Sequence, residues 1–114
     1  MDDLDKLIAK LDEGRDREAV ELVWPVFGDR TPTGLVLAAI AKPSSVDMAL
    51  RLKDAVALEW EADNVFEQQS LGRWTVYLGY QDKRVKGVGP TLARALLLAI
   101  LRAVKAQQSP GGGA

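Results

Sequence analysis

One segment near the carboxyl end restricts the fold more than any other, because it is too apolar to face water on most of its surface. Residues 90–105 read Pro-Thr-Leu-Ala-Arg-Ala-Leu-Leu-Leu-Ala-Ile-Leu-Arg-Ala-Val-Lys. On a helix, with about 100° between successive residues, the polar side chains share one narrow sector and the rest of the circumference is apolar. These polar residues are Thr91, Arg94, Arg102 and Lys105. The segment therefore predicts a helix from Pro90 to about Gln107 that other elements cover on most sides.

Alternation of apolar and polar residues predicts a small antiparallel sheet before this helix. The predicted strands are residues 58–63 and 73–80, with a short edge strand at 84–87 after a turn at 81–83, and residues 64–72 are predicted to be a polar connection. The clearest strand is the second, where Trp74 and Val76 lie on one face and Arg73 and Tyr77 on the other. The sequence does not decide whether the Tyr77 face is covered.

Four helices are predicted in the amino-terminal half from apolar spacing and capping residues. The predicted starts are Asp2 or Asp3, Asp16, Thr31 and Ser44. In the second helix, Val20 is expected to face the core, Trp24 to pack inside, and Pro25 to end or kink the helix. Residues 32–41 are apolar without a clean period; their alanines and start signal favour a buried helix, and a strand remains open.

These elements predict a single domain of the α+β class over residues 1–107, followed by a disordered glycine-rich tail at 108–114. In the predicted architecture, a small antiparallel sheet of two or three strands is sandwiched between helical layers. The long carboxyl-terminal helix packs on that sheet.

The chain has no cysteine and no histidine. This removes thiol chemistry, the commonest transition-metal ligand and the commonest general base, so we expect neither an enzyme nor a cofactor. The net charge of −1 gives no general attraction to nucleic acid, which is not an expected partner. An acidic amino terminus and apolar runs of no more than seven residues predict a cytoplasmic protein without a membrane segment.

Residues 73–89 contain a candidate site for an anionic ligand. Arg84, Lys86, Gly87 and Gly89 precede the long helix, whose first amides point toward a bound anion. Tyr77 with Arg73 would form a stacking platform for a ring if their face of the sheet is open. A tight turn before a Pro-started helix, and a Tyr77 buried in the core, are the alternative interpretations.

The polar edge of the long helix is a candidate interface with another protein or with a second copy. Its residues are Arg94, Leu98, Leu101, Arg102 and Lys105. An apolar spot rimmed by cations is typical of such surfaces. Packing against the first helix, through Asp2, Asp5 and Asp12, explains the same cations equally well.

The order of these elements is similar to a known family. Residues 3–11, Asp-Leu-Asp-Lys-Leu-Ile-Ala-Lys-Leu, followed by Gly-Arg-Asp-Arg-Glu at 14–18, resemble the opening of the phage ABA sandwich domain family. The helix start at 44–50, the Trp60 and Trp74 strands and the helix start at 90–96 follow in that family's order. The resemblance covers most of residues 3–105. It implies a small sandwich protein of phage or prophage origin, located in the bacterial cytoplasm, with no catalytic residue to transfer.

Three functional hypotheses follow. The first is a phage-derived accessory protein without catalytic activity that acts as an interaction module, with a protein or itself as partner. The second is a protein that sequesters a nucleotide or another anionic ligand and so counteracts host immune signalling. The third, ranked last, is a carboxylate-metal enzyme built on the alternating acidic residues Glu59, Glu61 and Asp63; a solvated strand face paired with cations explains them more simply.

Overall fold

The long apolar segment forms the central helix of the fold, with the sheet on one side and shorter helices on the other. The computed structural model describes residues 2–68 and 72–108. In chain order the described elements are α1 (Asp3–Asp12), α2 (Asp16–Phe27), α3 (Thr31–Ala41), α4 (Val46–Val56), β1 (Glu61–Gln68), β2 (Arg73–Tyr80), β3 (Lys83–Gly89) and α5 (Leu92–Gln108). The predicted α+β class, with the long helix packed on an antiparallel sheet, is confirmed. Of the predicted tail, Gln108 belongs to α5, and residues 109–114 lie outside the described residues.

Short polar side chains define the start of α1 and of α4. Asp2 Oδ1 accepts a hydrogen bond from the Asp5 amide at 2.8 Å, and Ser45 Oγ accepts one from the Met48 amide at 3.3 Å. Each bond satisfies a backbone donor that has no partner within the helix. The cap at Asp2 is therefore confirmed, whereas α4 is capped by Ser45 and not by the predicted Ser44.

The side chains of α2 point in directions that differ from the prediction. Its buried residues recur at every fourth position, and they are Ala19, Val23 and Phe27. Val20 and Trp24 each follow a buried residue, are therefore turned about 100° away from the core, and are 41% and 58% exposed. The prediction that they pack inside is wrong. Pro25 does not end the helix, which continues to Phe27.

Residues 32–41, for which both helix and strand were open, belong to α3. The cap residue is Arg30, one position before the predicted Thr31, and Pro32 lies in the first turn. Proline is tolerated there because the first amides of a helix have no partner within it. The favoured helix is therefore confirmed.

The sheet has the order β1-β2-β3 and is antiparallel throughout. The strand predicted over 58–63 begins only at Glu61, because the preceding residues form the turn after α4, in which the Trp60 amide donates to the Ala57 carbonyl at 3.0 Å. Residues 64–68, predicted to be a connection, continue β1 and pair with β2. The predicted second strand is confirmed, and β3 is longer than predicted.

The middle layer of the fold is α5. It packs on β2 and β3 on one side and on α1 and α4 on the other, and residues 93–101 are all buried. The layers therefore run from the sheet to α5 to the other helices, so that α5 is sandwiched and the sheet is an outer layer. Thr91 Oγ1 accepts a hydrogen bond from the Arg94 amide at 3.1 Å. Thr91 is thus the cap, and Pro90, predicted to be the first helical residue, lies before it.

At Gly87, β3 and α5 approach each other more closely than a side chain would allow. A Cβ at this position would overlap the carbonyl oxygen of Ala95 and would lie 2.5 Å from the amide nitrogen of Ala99. Both are backbone atoms of a hydrogen-bonded helix, which cannot shift locally without losing those bonds. Glycine is therefore required here to let the helix backbone contact the strand.

Replacing Gly87 by alanine tests this contact. We expect Gly87→Ala to lower the free energy of unfolding by about 3 kcal/mol, because α5 must move away from the sheet. Gly34→Ala is the matched control, since a Cβ added to Gly34 of α3 would have no neighbouring atom within 4 Å, and alanine in a helix should raise stability by about 0.5–1 kcal/mol. Urea unfolding measures both. Equal stability of the two variants would contradict the proposed contact.

Candidate functional site

The face of the sheet that carries Tyr77 is open in the part of the chain that the structure describes. Gly87 contacts α5 and pairs with Val76, so these residues mark the covered face. On the opposite face Tyr77 is half-buried, and Arg73 and Lys86 are exposed. The helix that packs on the sheet among the described elements, α5, lies on the other face, although Thr75, on the same face as Tyr77, is only 5% exposed.

Tyr77 lies at the centre of the open face. It pairs with Asn64 on β1 and with Lys86 on β3. Directly opposed residues of antiparallel strands project from the same face with Cβ atoms about 4.5–5.5 Å apart, so these three side chains form one row. We call this row, together with Arg73 and Arg84, the open-face site.

An ion pair holds Arg84 over the Tyr77 ring. Its Nε lies 2.9 Å from Asp63 Oδ2, and its Cζ lies 4.2 Å from the centre of the ring. Gly79, the residue opposite Arg84 on β2, has no side chain to separate these partners across the central strand. A guanidinium over an aromatic face is an attractive cation–π arrangement. The site therefore presents a planar cation stacked over an aromatic ring.

Positive charge remains at this site after the internal pairing is counted. Asp63 neutralises Arg84 at one end of the face, where Glu61 also lies. Within residues 2–68 and 72–108, neither Arg73 nor Lys86 has an ion-pair partner, and both are exposed. The open-face site thus offers two cations without an ion-pair partner among the described residues, Lys86 opposite Tyr77 and Arg73 four residues away on β2, although the chain as a whole has a net charge of −1.

The two glycines of the predicted anion site are separated from its cations. Gly87 lies against the α5 backbone, and a Cβ at Gly89 would lie 2.8 Å from Arg94 Cγ. Both glycines permit close packing of α5 on β3, and the Thr91 hydroxyl caps the helix start. The predicted combination of a glycine loop with the cations is therefore wrong, while Arg73, Tyr77, Arg84 and Lys86 do share one face.

Three residues of the predicted interface lie in the core. Leu98 and Leu101 are fully buried, and Arg94 is 6% exposed. Both terminal nitrogens of Arg94 contact the Asp16 carboxylate at 2.8 Å, and Nη1 also donates to the Leu11 carbonyl at 3.2 Å. These contacts bind the start of α5 to the α1–α2 turn. The interface prediction for Arg94, Leu98 and Leu101 is therefore wrong.

The other two residues of that prediction make internal contacts. Arg102 Nη1 donates to the Lys86 carbonyl at 2.7 Å. Lys105 pairs with Asp2 and, at 3.2 Å, with Asp5, so packing against α1, the predicted alternative, is confirmed. The hydrogen bond from Lys105 lowers the pKa of Asp2, and the hydrogen bonds to Asp2 and Asp5 raise the pKa of Lys105.

The alternating carboxylates do not converge. Glu59 lies in the turn before β1, where its hydrogen bond with the Tyr80 hydroxyl raises the pKa of Tyr80, and Asp63 is paired with Arg84. Among the described residues, no group of three or more acidic side chains is arranged to hold a metal ion.

Sequence reasoning missed Asn64 and the Asp63–Arg84 pair as parts of the site. Asn64 belongs to the part of β1 that was predicted to be a connection, whereas Asp63 lay in the predicted strand and its pairing with Arg84 depends on the register across Gly79. The available signal was the apolar pair Val65 and Phe66, which interrupts the polar character of that segment.

No known protein-family model, curated protein or solved structure matches this chain. The resemblance to the phage ABA sandwich domain family therefore stays a prediction. Within the described residues, the helices are too short or too polar to traverse a bilayer.

Neutralising Asp16 should show how strongly the fold depends on the Arg94 ion pair. We expect Asp16→Asn to lower the free energy of unfolding by about 2–3 kcal/mol, because a buried guanidinium loses its counter-charge. Asp47→Asn is the matched control: Asp47 is also a first-turn carboxylate paired with an arginine, but Arg51 is 63% exposed, and exposed pairs contribute about 0–1 kcal/mol. Chemical denaturation compares the two. A similar loss in both variants would contradict the buried role of Arg94.

The contact between α1 and α5 should depend on pH in two windows. The pKa of Asp2 is lowered by folding, so its contribution is present above the ordinary value of 3.8 and is lost as pH falls through the lowered value. The pKa of Lys105 is raised, so its contribution is present below 10.5 and is lost as pH rises through the raised value. We expect the Tm difference between the wild type and Lys105→Met to be constant between these limits and to shrink beyond each.

Thermal melts across this pH range test the expectation, with Lys6→Met as the control for an exposed lysine of α1. A Tm difference for Lys105→Met that persists unchanged in acid would disprove the link to Asp2.

Proposed function

We propose that this protein is a non-catalytic binding module that holds a small anionic ligand with a planar ring on the open-face site. Nucleotides are the ligand class that combines both features. The proposal rests on one observation: Tyr77 lies directly opposite Lys86, with the Arg84 guanidinium over its ring, on the face of the sheet away from α5.

The ring of the ligand would contact Tyr77 and the guanidinium of Arg84. Aromatic and guanidinium planes both stack on nucleobases, and such stacking is worth about 1–3 kcal/mol per base. Because Asp63 already holds Arg84 in place, little conformational entropy is lost when the ring binds. The Asn64 amide, opposite Tyr77, supplies donors and an acceptor for the polar edge of the ring.

The phosphate would contact Lys86 and Arg73. Lys86 lies directly opposite Tyr77, and Arg73 lies four residues away on the same strand face, about 13 Å along the strand. A nucleotide stacked at Tyr77 therefore brings its phosphate within reach of both side chains. Neither cation has a competing carboxylate among the described residues, so binding displaces no internal ion pair.

In biological terms, such a module would sequester its ligand. The fold and the family resemblance lead us to propose an accessory protein of phage origin that withdraws a nucleotide signal from its host. Catalysis is not part of the proposal, because the open-face site contains no nucleophile paired with a general base.

Titration with AMP tests the site, with adenosine and ribose 5-phosphate as probes of the ring and the phosphate alone. Chemical shifts of backbone amides report the binding position, and calorimetry reports the affinity. We expect AMP to bind with a Kd of about 0.1–1 mM and each half-ligand to bind at least about tenfold more weakly. Shifts should concentrate on β2 and β3.

Tyr77→Leu and Lys86→Glu should each weaken AMP binding by about tenfold or more, because they remove the stacking partner and the phosphate partner. Lys42→Glu is the matched control; it makes the same charge change at an exposed residue after α3. Absence of any shift or heat with AMP and ATP would refute the proposed function, as would equal weakening by Lys42→Glu.

A further inference from the structure

The outer side of α2 presents a mixed apolar and charged surface that no described element covers. Trp24 is 58% exposed and Val20 is 41% exposed, and Arg17 and Glu21 are exposed as well. On a helix with about 100° per residue, these four positions span only about 100° of the circumference. A large indole rarely remains in water without a partner, since burying it would contribute about 1.5–3 kcal/mol.

Two of the described helices pack against α2, and neither covers this surface. Glu18, about 60° round the helix from Glu21, contacts Lys10 of α1 at 3.8 Å, and α3 is the second helix packed against α2. The sequence of α3, Thr-Pro-Thr-Gly-Leu-Val-Leu-Ala-Ala-Ile-Ala, has no charged residue. Its outward positions include the small residues Gly34 and Ala41, which are exposed. The helix α3, which packs against α2, therefore adds no charge and no large exposed side chain of its own.

The charges on this surface are complementary to those on the same surface of a second copy related by a two-fold axis. Within residues 2–68 and 72–108, neither Arg17 nor Glu21 has an ion-pair partner, although they are one helical turn apart. In a two-fold arrangement, residue i of one copy meets residue j of the other and the reverse. Two antiparallel α2 helices centred on Val20 would place Arg17 of each copy level with residue 23 of the other, between Glu21 and Trp24.

We propose that this protein forms a symmetric homodimer through α2, with α2 of one copy antiparallel to α2 of the second copy and the uncharged α3 helices at the margin. At the axis of the interface, Val20 of one copy contacts Val20 of the other. On each side of the axis, Arg17 of one copy pairs with Glu21 and stacks on Trp24 of the other. Aromatic residues and arginine are the side chains most often dominant in interfaces. The open-face site lies on the opposite side of α5 and stays accessible in both copies.

The mass of the full-length chain in solution tests the proposal. Light scattering behind size exclusion and sedimentation velocity, over about 10 µM to 1 mM, should show twice the monomer mass of 12.4 kDa. Trp24→Glu should weaken the dimer by about 100-fold, and Arg17→Glu or Glu21→Arg alone by about tenfold. The combined exchange Arg17→Glu with Glu21→Arg should restore most of the affinity, because the opposite charges meet again.

Leu58→Glu is the matched control, because Leu58 is 66% exposed but lies in the turn between α4 and β1. It should leave the dimer intact. A wild-type protein that is monomeric at the highest concentration overturns the proposal, as does a loss of dimer in Leu58→Glu equal to that in Trp24→Glu. Failure of the charge exchange to restore association overturns the antiparallel arrangement. Circular dichroism confirms that each variant is folded.

Discussion

The backbone contact between Gly87 and α5 determines how the other surfaces of the molecule are used. Because the helix rests directly on β3, the side chains of Val76 and Leu78 are buried beneath it, and the alternate residues of β2 must face the other way. Because one face of α5 lies on the sheet, its opposite face is left for other helices, and α1 and α4 cover it. One position without a side chain thus fixes both the buried face of the sheet and the middle position of the helix.

Much of this architecture follows from local sequence patterns. The periodicity of α1 and α5 and the strict alternation in β2 identified those elements, since in each case most apolar residues lie on the covered side. The start of β1 could not be obtained in this way. The alternating residues before Glu61 have the pattern of a strand, but hydrogen bonds after α4 make them a turn. Trp24 was misplaced for a related reason: a large apolar side chain is usually buried, and only the rotation of α2 shows that this one is not.

The site was predictable in its residue types and not in its geometry. The cations Arg73, Arg84 and Lys86 and the ring of Tyr77 were recognisable in the sequence, but their common face depends on the strand register. Net charge was a poor guide, because it averages an acidic helical half with a sheet face where two cations are unpaired within the described residues. Arg94 shows the opposite case. It shares a polar sector with Lys105, yet it is buried, and Asp16 and the Leu11 carbonyl pair its terminal nitrogens there, while its Nε has no hydrogen-bond partner among the described residues.

The three tryptophans occupy three different environments: one on an outer helix, one in the sheet and one at the junction between the helices and the sheet. In a single copy of the chain Trp24 is exposed on α2, Trp74 is half-buried on the covered side of β2, and Trp60 is fully buried. With the Gln107 amide oriented so that both groups are satisfied, its oxygen accepts from Trp60 Nε1 at 2.8 Å and its nitrogen donates to the Val56 carbonyl at 3.2 Å. The indoles therefore differ in polarity and in hydrogen bonding, so their emission spectra are intrinsically distinct. The protein contains its own optical reporters for the outer helices, the sheet and the junction between them, without any added label.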